Sequence, residues 1–274
     1  MTNKNVKYYL LRVLEIFILG IWVFPLIWML ITSLHLENEL ISKSFHFFPT
    51  NPTLENYRKA IFSTYIMRWL LNSFLVSSFT MIITLVVDAP IAYAFAKIKF
   101  KGKTILFWFV MAGMMVPFQV LIIPLYLQLN KFGLINNLIS VVLPRISLPI
   151  GVFILKQFFE GIPNALEESA FIDGATRFKI FHSIILPLGS SALATVTILS
   201  FITCWNDFLW PLIAMNDTAK YTVTVGIANF QGTHGTQYAL ILSGAVLASI
   251  PQFILYIIFR KQIIAGVAMT GIKG

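Results

Sequence analysis

The class of this protein is decided by residues 70–95, which read LLNSFLVSSFTMIITLVVDAPIAYAF. One charged side chain, Asp88, stands among otherwise apolar or small polar residues. A helix needs about 20 consecutive, predominantly apolar residues to cross the hydrocarbon core of a bilayer, and this run is longer than that. We therefore predict that residues 70–95 form a transmembrane helix.

The composition of the whole chain agrees with that prediction. Its 274 residues are 58% hydrophobic and 11% charged, with a mean hydropathy of +0.82. Soluble domains carry about 25% charged residues, so this chain is too poor in charge for a fully hydrated surface. The net charge of +9 comes from basic residues dispersed between apolar runs, which favours the loops of a membrane protein over a nucleic-acid-binding face. We expect an all-α integral membrane protein.

Six apolar runs have the length of a bilayer span. They lie at 11–32, 70–95, 105–128, 138–159, 188–214 and 238–259. The fourth is interrupted near its start by Pro144, Arg145 and Pro149, which predicts a kinked or late-starting helix. The first run is longer than the apolar part of a signal peptide and lacks a small-residue cleavage site, so we expect it to remain as a span. The sequence thus predicts one transmembrane domain over 1–274 with six transmembrane helices.

The positions of Lys and Arg predict the orientation. With the N-terminus inside, thirteen of the 20 basic residues fall on inner segments and seven on outer ones. An excess of Lys and Arg on cytoplasmic loops is the general rule. We therefore expect both termini in the cytoplasm, an outer segment at 33–69 along the membrane surface, and a long cytoplasmic loop at 161–187.

The cytoplasmic loop reads GIPNALEESAFIDGATRFKIFHSIILP. Pro163 suits the first position of a helix, where its missing N–H costs nothing. Glu167 and Glu168 follow near the helix N-terminus, which favours acidic side chains. An apolar stripe is expected along this helix, formed by residues three to four apart: Ile162, Leu166 and Ala170.

A turn and a second helix follow in the same loop. Asp173-Gly174 is expected to end the first helix, because Gly adopts left-handed backbone angles without steric cost. Thr176 can cap a second helix that runs to Pro187. The loop should therefore form a helix–turn–helix with an exposed apolar and acidic surface, which is typical of a docking site for a partner protein.

The loop resembles the EAA loop of bacterial ABC-importer permeases. The resemblance is carried by Glu168-Ser169-Ala170, Asp173-Gly174-Ala175 and Ile184-Ile185-Leu186-Pro187. It implies a type I ABC importer permease fold, in which the first helix of the loop is a coupling helix that sits in a cleft of an ATPase subunit. Glu168 would then contact a basic residue of the ATPase, Gly174 would form the turn, and Leu186-Pro187 would lead back into the membrane. Ser169 stands where the family more often has Ala, and both residues are small.

Further segments resemble the carbohydrate-uptake branch of that family, specifically its maltose-type second permease. These segments are 52–57, 68–73, 92–97, 115–117, 122–126, 205–211 and the C-terminal tail Gly271-Ile272-Lys273-Gly274. The resemblance implies import of a mono-, di- or oligosaccharide across the bacterial cell membrane. It also implies three kinds of partner: a second, homologous permease; a cytoplasmic ATPase dimer docked on 161–187 and on the tail; and an extracellular or periplasmic solute-binding protein. ATP and Mg would be bound by the ATPase, and this chain would hold no cofactor.

A candidate pathway or gate lies at Trp205, Asn206, Asp207 and Trp210. Aromatic faces beside hydrogen-bonding groups suit a sugar, which has both hydroxyls and apolar C–H faces. The alternative is that the tryptophans are anchors at the membrane interface. Pro117, Pro124 and Pro211 are expected to break helices, and such breaks are tolerated where they line a cavity.

Asp88 is unusual because a carboxylate within a span is costly. It could belong to a proton relay or an ion site, but we favour a structural hydrogen bond to a neighbouring helix.

No enzyme is predicted. Gly102-Lys103-Thr104 matches the end of a phosphate-binding loop, but the Gly required five positions earlier is Lys97. The four histidines lack metal-ligand spacing, so no metal site is expected. The alternatives are an importer of the same class for another solute such as glycerol phosphate, a secondary transporter or channel, and a structural membrane protein.

Overall fold

The computed structural model of the chain describes residues 2–42, 46–231 and 236–271, and side chains within 8–42, 46–231 and 236–260. Every regular element in these ranges is helical. In chain order the α-helices are α1 (Thr2–Ser33), α2 (Glu37–Leu40), α3 (Glu55–Ser63), α4 (Ile66–Lys97), α5 (Lys103–Ala112), α6 (Phe118–Lys131), α7 (Leu138–Val142), α8 (Pro149–Glu160), α9 (Asn164–Ile172), α10 (Arg177–Ile180), α11 (Leu186–Leu188), α12 (Ser190–Trp205), α13 (Leu209–Ala214), α14 (Val223–Ala228) and α15 (Tyr238–Gly271).

Three of the described helices are long and apolar enough to cross a membrane without interruption. They are α1 over Tyr8–Ser33, the whole of α4, and α15 over Tyr238–Arg260. These helices coincide with the first, second and sixth predicted spans. Up to six spans result if each of three bent helix pairs counts as one.

The predicted span at 105–128 is sharply broken. α5 continues as a 3-10 turn to Met115, and the direction changes by 96° before α6 begins at Phe118. Val116 is extended and Pro117 precedes the first residue of α6, as expected where proline disfavours a helical conformation of the preceding residue. Pro117 therefore breaks the helix as predicted. The same prediction for Pro124 is wrong, because α6 runs through it.

The fourth predicted span is kinked, which confirms the prediction from its prolines. α7 continues through a 3-10 turn at Leu143–Arg145, and α8 is inclined to this first half by 46°. Pro149 occupies the first turn of α8, where it does not cost a hydrogen bond.

The helix at the fifth predicted span, 188–214, starts within two residues of the expected position and ends earlier than expected, at Trp205. α12 covers Ser190–Trp205 and is bent by 79° from the helical segment Arg177–Leu188. Gly189 stands at this bend, and a Cβ there would lie 2.6 Å from Cε1 of Phe159, so only glycine allows this approach. α13 is a separate short helix that begins after a break at 206–208 and has Pro211 near its start.

The chain forms two compact units. The first comprises Met1–Met67 and Gly226–Ile250, and the second comprises Arg68–Val225 and Pro251–Gly274. In the first unit, Glu37 caps α15: its two carboxylate oxygens accept the N–H groups of Tyr238 and Ala239, each at 2.9 Å. A carboxylate is favourable at the N-terminus of a helix. The interpretation of 1–274 as one domain stays a prediction.

Two apolar clusters form the core of the second unit. The first apolar cluster gathers buried side chains of α4, α8 and the segment after α9; it includes Ala92, Tyr93, Leu155, Phe159, Ile180 and Ile185. The second apolar cluster includes Val76, Ile122, Val141, Cys204, Trp210 and Met215. Between them α4 carries a buried polar stripe at helical spacing: Ser73, Ser77, Thr80, Thr84 and Asp88, each at most 1% exposed.

Candidate functional site

The segment between α8 and α12 forms a helical hairpin, residues 161–188. Its first limb is α9, and Pro163 lies immediately before this helix with ψ of 130° rather than at its first helical position. Glu167 lies in the first turn, where an acidic side chain complements the helix dipole. The first predicted helix is thus confirmed, with a start one residue later than expected.

The turn of the hairpin is a Schellman motif centred on Gly174. Gly174 has φ of +76°, its N–H donates to the carbonyl oxygen of Phe171 at 3.0 Å, and the N–H of Ala175 donates to that of Ala170 at 2.9 Å. These two hydrogen bonds and a left-handed residue after the cap define this motif. Asp173 is the C-cap of α9. The predicted turn is confirmed.

The second limb contains one feature that the sequence did not predict. Thr176 caps α10 by accepting the N–H of Lys179 at 3.3 Å, as expected. The limb then passes through a π-helical turn, Phe181–Ile185, into α11. The N–H of Leu186 donates to the carbonyl of Phe181, five residues earlier. Such a wide turn inserts an extra residue into a helix, and here it ends two residues before Pro187.

The hairpin presents a surface of apolar side chains together with charged ones of both signs. Ile162 and Ala170 pack against the first apolar cluster, whereas Leu166 is exposed, so the predicted single stripe is divided between two faces. Glu168 is exposed, and Ser169 donates its hydroxyl hydrogen bond to the carbonyl of Ala165. The exposed apolar side chains are here called the hairpin patch: Leu166, Phe171, Ile172 and Phe178, which are 43%, 43%, 87% and 76% exposed.

The opposite face of α9 is held by the last turn of α4, a contact that the sequence did not reveal. The hydroxyl of Tyr93 donates to Oε2 of Glu167 at 3.2 Å. Nζ of Lys97 lies 3.5 Å from Oε1 of Glu167 and donates to Oδ1 of Asn164 at 2.8 Å and to the carbonyl oxygen of Ile162. From the sequence, Lys97 is expected on an inner segment, within 92–97, and no contact with the hairpin is predicted for it. The available signal was the spacing of Tyr93 and Lys97, which places both on one side of a helix.

The four candidate pathway residues are divided between the core and the surface of this chain. Trp205 is 1% exposed and stacks on Phe201 at 5.5 Å, while the buried Trp210 donates its indole N–H to the carbonyl of Ser140 at 2.9 Å. Asn206 is exposed and accepts a hydrogen bond from Gln252 at 2.9 Å. The indole rings therefore pack against this chain and present no open face.

Asp207 forms an ion pair that the sequence did not predict. Its Oδ2 lies 2.8 Å from Nη2 of Arg145, and the two side chains are 8% and 18% exposed. The guanidinium of Arg145 also lies 4.0 Å from the ring centroid of Phe118.

Asp88 accepts two hydrogen bonds at the kink between α7 and α8. Oδ1 accepts the hydroxyl of Ser147 at 2.6 Å, and Oδ2 accepts the N–H of Leu148 at 3.0 Å. Leu148 is the N-cap of α8, so the carboxylate lies at the positive end of this helix. The favoured interpretation, a structural hydrogen bond to a neighbouring helix, is confirmed.

Two further predictions concern other parts of the chain. Among the described residues, no three His, Cys, Asp or Glu side chains lie close enough together to hold a metal ion. Of the tail that resembles an ATPase-contacting segment, Gly271 is the last residue of α15, and Ile272, Lys273 and Gly274 lie outside the described residues.

Comparison with known proteins places this fold and hairpin in context. Residues 88–264 match the model of a family described as the inner membrane component of binding-protein-dependent transport systems. The chain is 34% identical to the arabinooligosaccharides transport permease of Halalkalibacterium halodurans over 94% of each protein. It is 32% identical to the trehalose/maltose transport permease of Thermococcus litoralis over 100% of each. A crystal structure of a bacterial ABC transporter for import of the polysaccharide alginate shares the fold, with a TM-score of 0.82 at 20% identity, covering 95% of this chain and 98% of that one.

Proposed function

The chain belongs to the family of inner membrane components of binding-protein-dependent transport systems, and from that premise we propose that it is one permease half of an importer for a sugar. As a multi-pass membrane permease it is not itself an enzyme. ATP hydrolysis is then carried out by separate subunits, which bind ATP and Mg. The imported solute is a mono-, di- or oligosaccharide.

The observation that carries this proposal is the hairpin at 161–188. Its turn is fixed by a Schellman motif, its inner face is packed, and its outer face exposes the hairpin patch beside Glu168. A rigid element with an exposed apolar surface and a charge is suited to docking a partner protein. We assign the hairpin patch to the ATPase, with Glu168 contacting a basic residue there.

Docking at this hairpin implies an orientation and a set of partners. The hairpin and both termini face the cytoplasm, in agreement with the excess of Lys and Arg on those segments. A second, homologous permease completes the pathway, an ATPase dimer docks on the two hairpins and on the C-terminal tail, and a solute-binding protein delivers the ligand from outside. Closure of the ATPases on ATP moves the hairpins as rigid bodies and switches the permeases between outward-facing and inward-facing states.

The assignment of a sugar rests on the named relatives and on the resemblance of several segments to carbohydrate permeases. Two relatives are named for arabino-oligosaccharides and for trehalose and maltose. An importer of the same class for another solute, such as glycerol phosphate, is the main alternative. The relatives named above favour the sugar.

We further propose that residues 205–210 belong to the solute pathway or its gate. Asn206 is the exposed polar group of this turn, whereas the two tryptophans are buried. The tryptophans then hold the turn in place instead of contacting solute. The ion pair between Arg145 and Asp207 is the contact that would have to separate if this region opened.

The proposal is tested by isolating the intact complex from its native membrane. We expect a second permease and an ATPase to co-purify with this chain. In liposomes with the matching binding protein, arabino-oligosaccharides, trehalose and maltose are tested for stimulation of ATP hydrolysis and for uptake. Ion-driven uptake by this chain alone would instead favour a secondary transporter, and stimulation by glycerol phosphate but by none of the sugars would overturn the sugar assignment.

A further inference from the structure

We propose that Tyr93, Lys97 and Glu167 form a clamp that transmits movement of the docking hairpin to the span α4. This inference rests on the proposed function, because the hairpin must receive that movement from an ATPase. The three residues are positioning residues: they touch neither nucleotide nor solute. Their role is to make α9 and the end of α4 move together.

Several contacts converge at the end of α4. Lys97 Nζ contacts three acceptors on the start of the hairpin: the carbonyl of Ile162, Oδ1 of Asn164 and, at 3.5 Å, Oε1 of Glu167. The side chains of Lys97 and Glu167 are only 4% and 10% exposed. A Lys that serves merely as an inner-membrane charge would extend its ammonium into water. The ammonium of Lys97 instead contacts the hairpin.

Tyr93 contacts both limbs of the hairpin. Its hydroxyl donates to Glu167 on the first limb, and its ring lies 5.1 Å from the ring of Phe181 on the second. Tyr93 is itself 5% exposed within the first apolar cluster. The end of α4 therefore holds the hairpin on two sides, which prevents one limb from moving without the other.

Two adjacent acidic residues of α9 differ in their surroundings. Glu167 points into the clamp, whereas Glu168 is exposed beside the hairpin patch. A force applied to the exposed face of α9 is therefore transmitted to α4 through this one helix. A buried ion pair contributes little net stability compared with apolar residues of similar size. We infer that its value here is the fixed geometry between two helices.

The experiment uses the complete importer in liposomes with its binding protein. Three quantities are measured for each variant: co-purification of the ATPase, the rate of ATP hydrolysis, and the amount of solute imported per ATP hydrolysed. The test variants are Tyr93→Phe, Lys97→Met and Glu167→Gln, with Lys97→Arg as the conservative replacement. Lys156→Met is the matched control, because Lys156 pairs with Glu160 within α8 at 2.7 Å and lies 4.7 Å from the ring centroid of Phe107 on α5, and neither partner belongs to the hairpin.

We expect the ATPase to co-purify with all variants, since the exposed face of the hairpin is unchanged. Solute imported per ATP should fall by roughly three- to thirtyfold for Lys97→Met and Glu167→Gln, the range of coupling changes seen along such networks. Tyr93→Phe should give a smaller fall, while Lys97→Arg and Lys156→Met should stay near the parent value. A purely structural role would lower the yield of complex without changing this ratio.

Two outcomes would overturn the clamp. One is an unchanged ratio in Lys97→Met and Glu167→Gln, and the other is an equal fall in Lys156→Met. If the importer with Lys97→Met does not assemble, the solute imported per ATP by Tyr93→Phe decides whether the clamp exists, because this variant removes one hydroxyl and keeps the packed ring. Failure of the ATPase to co-purify with the parent chain would contradict the proposed function and is recognised separately.

Discussion

Nη2 of Arg145 lies 2.8 Å from Oδ2 of Asp207, and this ion pair joins the 3-10 turn after α7 to the break between α12 and α13. The two residues are 62 positions apart in the chain. Asp207 also accepts a hydrogen bond at its backbone carbonyl from the hydroxyl of Thr224 at 2.8 Å. Two helix breaks in the second unit are therefore held to each other by charge.

Removal of the acid alone should be more harmful than removal of both charges. Asp207→Leu is expected to destabilise the protein by about 3–5 kcal/mol, because it leaves the Arg145 charge largely buried without a partner. The double variant with Arg145→Met and Asp207→Leu should lose much less, since no uncompensated charge remains. Thermal unfolding of the parent, single and double variants in the same detergent measures the difference. Equal losses in the single and double variants would show that the charge pair is not the cause.

Asp88 gives a second prediction, at the kink between α7 and α8. Asp88→Ala removes the acceptor for the Ser147 hydroxyl and for the Leu148 N–H. Each buried polar group left without a partner costs about 1–3 kcal/mol, so we expect a clear fall in the thermal midpoint. Asp88→Asn is the matched control: its amide can still accept one hydrogen bond and donate another, and it should stay close to the parent. A relay or ion site would be recognised by transport instead of stability: Asp88→Asn would then be stable but deficient in transport.

The main apolar elements and the hairpin turn were predictable from local sequence. Long runs with few charges identified α1, α4 and α15, because the length of a span is set by the thickness of the bilayer. Gly174 and Thr176 identified the turn and the second limb, since each acts through its own backbone or its nearest neighbours. Prolines located the kink before α8, because a proline also acts on its own backbone and on that of its nearest neighbours.

The parts that escaped prediction depend on contacts distant in sequence. Nothing local distinguishes Glu167 from Glu168, and the rotation of α9 about its axis is set by the packing of Ile162 and Ala170 on the first apolar cluster. Likewise, the sequence alone is consistent with interface or pathway roles for Trp205 and Trp210. The structure shows that Trp205 stacks on Phe201 and that Trp210 donates a hydrogen bond to Ser140. Arg145 and Asp207 could not be paired because they lie on different helix breaks.

The turn of the hairpin provides a third prediction. Gly174 has φ of +76°, which proline cannot adopt because its ring holds φ near −65°. Gly174→Pro should insert in the membrane normally and abolish ATP-driven uptake, since the limbs can no longer fold back on each other. Gly174→Ala should be milder, at about 1–2 kcal/mol of strain. Gly113→Ala is the control, because Gly113 has ordinary helical angles and a Cβ there meets Pro149 at 3.7 Å. Normal uptake by Gly174→Pro would count heavily against the role given to the hairpin.

Glu168 provides the fourth prediction, which tests the docking contact alone. Because Glu168 is exposed and makes no described hydrogen bond or ion pair, Glu168→Lys should leave the stability of the isolated chain unchanged. A reversed charge that faces a basic residue of the ATPase should weaken docking by about 2 kcal/mol or more, roughly thirtyfold in affinity. Retention of the ATPase on the immobilised permease at increasing salt measures this loss, with Glu55→Lys on α3 as a control for an exposed charge reversal outside the hairpin.

Equal retention by Glu168→Lys and the parent would exclude this single contact. The hairpin patch would then be tested with Ile172→Asp, since the side chain of Ile172 is 87% exposed. Loss of the ATPase in Ile172→Asp but not in Glu168→Lys would show that the hairpin patch supplies the binding free energy. That result is expected when a largely exposed isoleucine becomes buried in a partner.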